Sequence, residues 1–358
     1  MTSSPSPRPL RVGIAGLRRG AALLRVLAHE PRATLAAVCD TDANRLQAVA
    51  REHRIPAAFS DYRKFLSAGL DLVVVATPMP CHAAHSIAAL EAGAHVLCEV
   101  PAVAQLAEAE SLVRAAEAAP GLYMLAENCC YWAFVESWHT LVAGGRLGEP
   151  TYAEAEYVHD CRGMLREPDG APTWRAALPP IVYCTHSLGP ILKVIGGRCV
   201  TAVGMNSGSR LSPELGTLDL GVGLFQTDRG VPIRILCAFG VARQPAFHAY
   251  TVYGTRGCLE RPRQKDETIA YFDDVPELTG MMTLPLGIQH RNAPRHALAG
   301  GHGTAEYAMI RSFLDAISEG LPSPIDVYAA LDMSLPGLCA HESALQHSAP
   351  VPVPDFRS

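Results

Sequence analysis

The stretch from Leu10 to Leu24 constrains the fold of this chain more than any other. It opens as a short apolar run, Val12 to Ala15, turns at Gly16, and resumes with apolar residues at helical spacing through Leu23, Leu24 and Val26. A strand that turns through glycine into a helix aims the helix N-terminus, with its free N–H groups and partial positive charge, at whatever lies above the turn. A pyrophosphate suits that position. The run Gly16-Leu17-Arg18-Arg19-Gly20 departs from the dinucleotide fingerprint at Arg18, where a second glycine would let backbone approach phosphate. Leu35 to Asp40 reads as a second strand ending in an acid about twenty residues on, where a ribose 2′-hydroxyl is read. A carboxylate there repels a 2′-phosphate, which predicts NAD over NADP. Leu72 to Thr77 reads as a further strand, stopping at the polar edge Thr77-Pro78. Gly16, Arg18, Arg19, Asp40, Thr77 and Pro78 are therefore candidate cofactor residues.

A chain of 358 residues is long enough for two domains with separate cores. Apolar content of 49% against 18% charged residues fits a well-buried globular chain rather than a disordered one. A net charge of −5 argues against nucleic-acid partners and anionic membrane surfaces. The eleven cysteines lack CxxC metal spacing, so no metal is expected; they read as buried thiols of a reducing compartment. Met1 to Pro9 reads as a loose tail without the apolar core of a signal peptide, and no run reaches membrane-spanning length. The expectation is a cytoplasmic protein.

Residues 10 to about 127 alternate β-rich and helical runs, the pattern of a doubly wound parallel sheet. Strands are expected at 10–15, 34–39, 57–59, 71–76, 95–98 and 122–126, with helices over 86–93 and 103–119. After a helix near 134–142 the rhythm changes to alternating strands at 151–159, 217–226, 231–239, 250–253 and 257–260. Asp228-Arg229-Gly230 is a hairpin signal between two of them. These predict an open, mainly antiparallel sheet with one covered face. Helices are expected over 304–318 and 326–345, the second kinked or broken at Pro336. The division is thus an N-terminal α/β Rossmann domain over 1–127 and a C-terminal α+β domain over 128–358.

Glu99-Val100-Pro101 and Glu127-Asn128 leave the ends of strands at the carboxyl edge, where such sheets bind ligands. Trp174-Arg175 and Tyr183-Cys184-Thr185-His186 follow, with further histidines at 159, 248 and 302. His186 stands out because it adjoins the apolar run Leu188 to Val194, a helix expected to pack the domains together with His186 facing a cleft.

With Ala76-Thr77-Pro78 and His82, Glu99-Val100-Pro101, Trp174-Arg175, His186 and Gly254-Thr255-Arg256-Gly257, the chain resembles the glucose–fructose oxidoreductase and inositol dehydrogenase superfamily. The resemblance implies NAD held also by His82, Glu99, Val100 and Asn128, and a homo-oligomer, dimer or tetramer, formed through the second sheet. Members often carry a lysine where Val100 stands and an aspartate where Val182 stands. A plain dehydrogenase would lose much by that, since one positioned acid/base contributes ~10²–10⁴-fold.

Glu127-Asn128-Cys129-Cys130-Tyr131, Glu156 to His159, Tyr183 to His186 and Ile325 to Tyr328 resemble a narrower branch, the NAD-dependent glycoside hydrolases of the α-N-acetylgalactosaminidase type. That resemblance implies acid/base roles for His186 and Tyr183, with His159 or Tyr157 as further candidates. Tyr157, Trp174, His248 and Tyr328 become candidate sugar contacts, and Arg175 a contact to cofactor or sugar. The implied route oxidises C3 of a sugar, eliminates the C1 substituent, adds water and returns the hydride. It needs no pair of carboxylates flanking the bond. An NAD-dependent sugar or cyclitol dehydrogenase, and a catalytically silent NAD- and sugar-binding sensor, remain open.

Overall fold

A computed structural model describes residues 8–357. The expected tail therefore lies mostly outside the described residues; within them, Arg8 grips Asp71 with two hydrogen bonds of 2.7 and 2.8 Å. Along the first part of the chain run β1 (Leu10–Ala15), α1 (Leu17–Leu27), β2 (Ala33–Cys39), α2 (Ala43–Glu52), β3 (Ala57–Phe59), α3 (Tyr62–Leu66), β4 (Leu72–Val75), α4 (His82–Glu91), β5 (His95–Cys98), α5 (Ala109–Ala118) and β6 (Tyr123–Leu125). There follow α6 (Ala133–Ala143), β7 (Pro150–Val158), α7 (Thr185–Ile195), β8 (Cys199–Asn206), β9 (Leu220–Thr227), β10 (Pro232–Ala238), β11 (Phe247–Gly254), β12 (Gly257–Arg261), β13 (Thr268–Phe272) and β14 (Met282–Leu284). The chain ends with α8 (Ala305–Glu319), α9 (Val327–Leu345) and β15 (Val351–Pro352).

Two compact units emerge. The first takes residues up to Ala102, 107–126 and 293–327. Its six strands are parallel in the order β3-β2-β1-β4-β5-β6, a doubly wound sheet whose order reverses beside β1. All four residues of β4 are buried, as expected for a strand covered on both faces. α1 forms because Leu17, Gly20, Leu23, Leu24 and Leu27 make one buried stripe. The side chains of Asp42 and Asp61 cap α2 and α3, accepting from Arg45 N and Lys64 N.

Sequence reading placed 293–327 in the second domain, whereas the chain returns this segment to the first unit. Its α8 buries Met309, Ile310, Phe313 and Leu314, and Leu125 N donates to Ile325 O at 3.0 Å. Charge fixes it as well. Glu306, fully buried, sits 2.5 Å from His302 Nδ1 and 3.1 Å from Arg19, whose Nε donates to Glu99 at 2.8 Å. Burial works against the Glu306 charge, but His302 and Arg19 outweigh it and hold the carboxyl at about 2.

The second unit takes residues 103–106, 127–292 and those from Tyr328 onward. Its nine strands run β14-β13-β12-β11-β7-β10-β9-β8-β15. Every pair is antiparallel except β7 with β10, so the sheet is mixed at its centre. One face carries Ala155, Tyr157, Ile235 and Tyr250, and α7 packs against β7 and β11. α9 lies so close to β8 that a Cβ on Gly204 would fall 1.8 Å from Ala340 O. Of the kink or break expected at Pro336, the break does not occur. α9 runs through it because Gly337 and Ala340 are locked against Ile181, Cys184 and Gly204, which outweighs the one hydrogen bond a proline removes. The other face shows Glu154, Arg234, Leu224, Met205 and Tyr253.

The Glu306 carboxyl has a lower pKa folded than the ordinary 4.5, so its stabilisation is complete above that value and is lost as pH falls toward about 2. Glu306→Gln should cost roughly 3 kcal/mol at neutral pH and flatten acid destabilisation in that window. Melting curves of both proteins from pH 7 to pH 3 check this; curves that stay parallel would contradict it.

Candidate active site

β6 ends two residues before Glu127, whose side chain caps a short 3-10 turn by accepting from Cys129 N at 3.1 Å. The same oxygen, Oε1, lies 2.7 Å from Nδ1 of His186 in the first turn of α7. Gly189 gives the carboxylate its room, since a Cβ there would sit 3.0 Å from Glu127 Cγ. Glu127 is fully buried and His186 is 7% exposed. With a carboxylate on Nδ1, that nitrogen carries the proton and Nε2 is left as the basic atom. Tyr250 adds a second anchor by donating its hydroxyl to the His186 carbonyl.

Rings gather around this pair. Tyr183 and Tyr157 meet His186 edge-on, with centroids 5.3 and 5.8 Å away. Both come from elements fixed elsewhere: Tyr183 from the turn preceding α7, Tyr157 from the covered face of β7. His248, opposite Tyr157 in the β7–β11 register, stacks on it at 4.1 Å, and Trp132 closes edge-on at 5.0 Å. The Tyr157 hydroxyl is 3.0 Å from His159 Nδ1. Burial, then the neighbouring Tyr183, Cys161 and Cys129, push the Tyr157 phenol well above its ordinary pKa, with Arg175 opposing. Tyr157 is thus a phenol at neutral pH, and it accepts a proton only by passing its own to His159. Arg175 lies over Trp174 at 4.4 Å and over Tyr183 at 5.7 Å. A narrow, largely apolar cavity lined by Cys161, Leu178, Pro180 and Phe239 adjoins Arg175.

The structure therefore brings together His186, Tyr183, Tyr157, His159, His248, Trp174 and Arg175. Tyr328 stands at the start of α9, with Arg357 5.3 Å over its ring. Sequence reading named Glu127 as a strand-end acid but gave it no role, and it passed over Trp132 and Tyr250. Tyr250 is revealed by its place in β11 and its bond to the His186 carbonyl, Trp132 by its ring contacts with His248 and Tyr250. Glu127, Cys129 and His186 place three metal-ligand atoms within 4.8 Å of one another. The carboxylate and imidazole already bond each other, so the set reads as a hydrogen-bonded dyad.

In the first unit, Gly16 adopts φ 84°, and a Cβ there would lie 2.2 Å from Ala76 O. Gly16, the N-cap of α1, has no side chain to cap the helix, and the carboxylate of Asp40 takes its first N–H, that of Leu17. Asp40 accepts from Leu17 N at 2.7 Å and Asp42 N at 2.8 Å, and pairs with Arg45 at 3.2 Å. Arg18 is exposed beside that turn, while Arg19 is engaged by Glu99 and Glu306. Thr77 and Pro78 follow β4, and the Thr77 hydroxyl meets His85 Nδ1 at 3.0 Å. His82 binds the Thr77 and Pro101 carbonyls. Val100 is buried where a lysine was the alternative, and Asn128, beside Glu127, is fully buried in the second unit.

Comparison with known proteins matches residues 10–127 to the oxidoreductase family with an NAD-binding Rossmann fold, and residues 241–358 to the C-terminal domain of glycosyl hydrolase 109. A glycosyl hydrolase family 109 protein of Solibacter usitatus is 28% identical over 97% of this chain and 88% of its own length. A second, from Phocaeicola vulgatus, is also 28% identical, over 98% and 95%. Among solved structures, an oxidoreductase domain protein from Kribbella flavida superposes with a TM-score of 0.84 at 22% identity, covering 98% of this chain and all of its own. Levoglucosan dehydrogenase in complex with NADH gives 0.82 at 19%, over 98% and 100%. The cofactor is NAD.

Asp40→Ala should lower the preference for NAD over NADP at least about tenfold, because the repelling charge goes and Arg45 is released toward a 2′-phosphate. Dissociation constants for both nucleotides, measured by fluorescence titration, check it; an unchanged ratio would mean that Asp40 does not face the ribose.

Proposed function

We propose that this chain, a member of the glucose–fructose oxidoreductase and inositol dehydrogenase superfamily on its glycosyl hydrolase 109 branch, cleaves glycosides in a redox-neutral cycle around one bound NAD. The observation that carries the reading is the presence of two separate acid/base pairs, His186–Glu127 and Tyr157–His159, around one set of rings. Oxidation of an alcohol needs one base. Oxidation followed by elimination needs two, one for the C3 hydroxyl and one for the C2 proton that the new ketone acidifies. NAD, when bound, supplies an acceptor that takes one hydride and gives it back.

His186 Nε2 removes the hydroxyl proton while Glu127 holds the ring and balances the imidazolium charge. The Tyr157 oxygen takes the C2 proton as its own passes to His159. Tyr183, edge-on to His186, and Arg175, held flat over Trp174, border the same space and orient the sugar. Val100 fits this division of labour, because proton handling lies with the second unit's pairs rather than with a lysine at that position.

The burial of nine of the eleven cysteines supports a reducing compartment such as the cytoplasm. No helix among the described residues is long and apolar enough to cross a membrane. The exposed sheet face with Leu224, at 51%, Met205, at 59%, and Tyr253 supports a homo-oligomer formed through it. Leu224→Asp should then halve the particle mass measured by light scattering without lowering the melting temperature; an unchanged mass would remove this face as the interface.

Turnover of a glycoside in heavy water should place deuterium at C2 of the released sugar, leave C3 hydrogen intact, and produce sugar in large excess over any NADH. His186→Ala should slow it roughly 10²-fold or more with NAD affinity nearly unchanged. Cleaved sugar without deuterium at C2 would rule out elimination. Stoichiometric NADH with an oxidised sugar would identify a dehydrogenase instead.

A further inference from the structure

His82, the first residue of α4, is buried at 2% exposure with both ring nitrogens against main-chain carbonyls. Nδ1 is 2.7 Å from Pro101 O and Nε2 is 2.8 Å from Thr77 O. A neutral imidazole has one N–H and one lone pair, so it satisfies only one of these acceptors. The other contact then sets two lone pairs against each other at hydrogen-bond distance. An imidazolium, with two N–H groups, satisfies both.

Burial opposes the charge and holds the imidazole below its ordinary pKa, while the Pro101 and Thr77 carbonyls, Glu99 and Glu108 favour the charged form. Glu99 faces it from the end of β5 and is itself bound by Arg19; Glu108 faces it from the turn before α5. His85, one turn along α4, is held down by burial and by His82. Burial thus disfavours the cation in the free protein, and another negative charge nearby works in its favour, toward the form whose two N–H groups both carbonyls can accept. The glycine turn admits such a charge. A Cβ on Gly16 would lie 2.6 Å from Thr77 N, so His82 grips the same residue that walls the turn.

We propose that His82 is a proton-coupled anchor of the dinucleotide site: when a pyrophosphate settles at the Gly16 turn, His82 takes up a proton from solvent and donates from both nitrogens to Thr77 and Pro101. This rests on the reading of that turn as the pyrophosphate site. Affinity then falls as pH rises, by up to about tenfold per pH unit. His85, already disfavoured as a cation by its neighbour, is not the carrier.

Calorimetric titration of the full chain with ADP-ribose, in buffers of different ionisation enthalpy at pH 7.5, reads the proton directly. ADP-ribose carries the pyrophosphate without the nicotinamide charge. Net uptake approaching one proton per ADP-ribose is expected, with none for adenosine. His82→Gln should bind ADP-ribose without uptake and with affinity flat in pH, while His85→Asn keeps the uptake. Should His82→Gln not fold, nitrogen-15 spectra of the histidine-labelled native chain serve, one imidazole becoming doubly protonated on ADP-ribose addition. Binding of ADP-ribose with no uptake overturns the proposal, as does uptake that survives in His82→Gln or vanishes only in His85→Asn. No binding of ADP-ribose overturns the pyrophosphate site together with it.

Discussion

The carboxylate of Glu127 is cut off from water, and the arrangement of rings around His186 depends on how that charge is satisfied. An isolated carboxylate in such a place is costly enough that it must be paired or neutralised. Here the pairing ties the turn that Glu127 caps to the first turn of α7, and it requires a glycine one turn further along that helix. The second oxygen, Oε2, has no hydrogen-bond partner among the described residues. A natural core rarely leaves such an atom unmet, and where it does, a functional site is a common reason. The dyad is thus better understood as a maintained source of ring orientation than as a contribution to stability.

Among the described residues, each unit holds one such histidine paired with a fully buried carboxylate. Glu306 with His302 is the counterpart in the first, its carboxylate equally buried but its histidine more exposed, and with Arg19 added. The extra cation makes that cluster a structural lock. The dyad's surroundings of tyrosine and histidine leave room for a proton to move. Similar residue types thus divide into scaffold and site according to what else borders them.

Most of the first unit was legible in the sequence because parallel strands buried on both faces read as continuous apolar runs, and glycine turns mark their ends. Gly16, Asp40 and the edge at Thr77 were visible for that reason. The return of 293–327 to the first unit was not, since amphipathic periodicity in α8 says that a stripe is buried and nothing about what covers it. In the second unit, the alternation of β7 announced its two faces, yet the parallel partner β10 and the stacking of Tyr157 on His248 depend on register, which no local pattern encodes. At Pro336 the helix is not broken for a related reason: a local rule about helix breaking gave way to packing on both sides of it.

The late segment also imposes an order on how this chain becomes itself. A ribosome releases the strands of the parallel sheet long before it reaches α8, yet Phe313, Leu314 and the Glu306 lock are needed to cover and tie that sheet. During synthesis the early sheet must wait, partly bare, while every strand of the second sheet but β15 is made. The nucleotide unit is therefore not an autonomous module that could be excised at residue 127 or exchanged intact with a relative. In inheritance and in engineering alike, it travels with the sheet threaded through it.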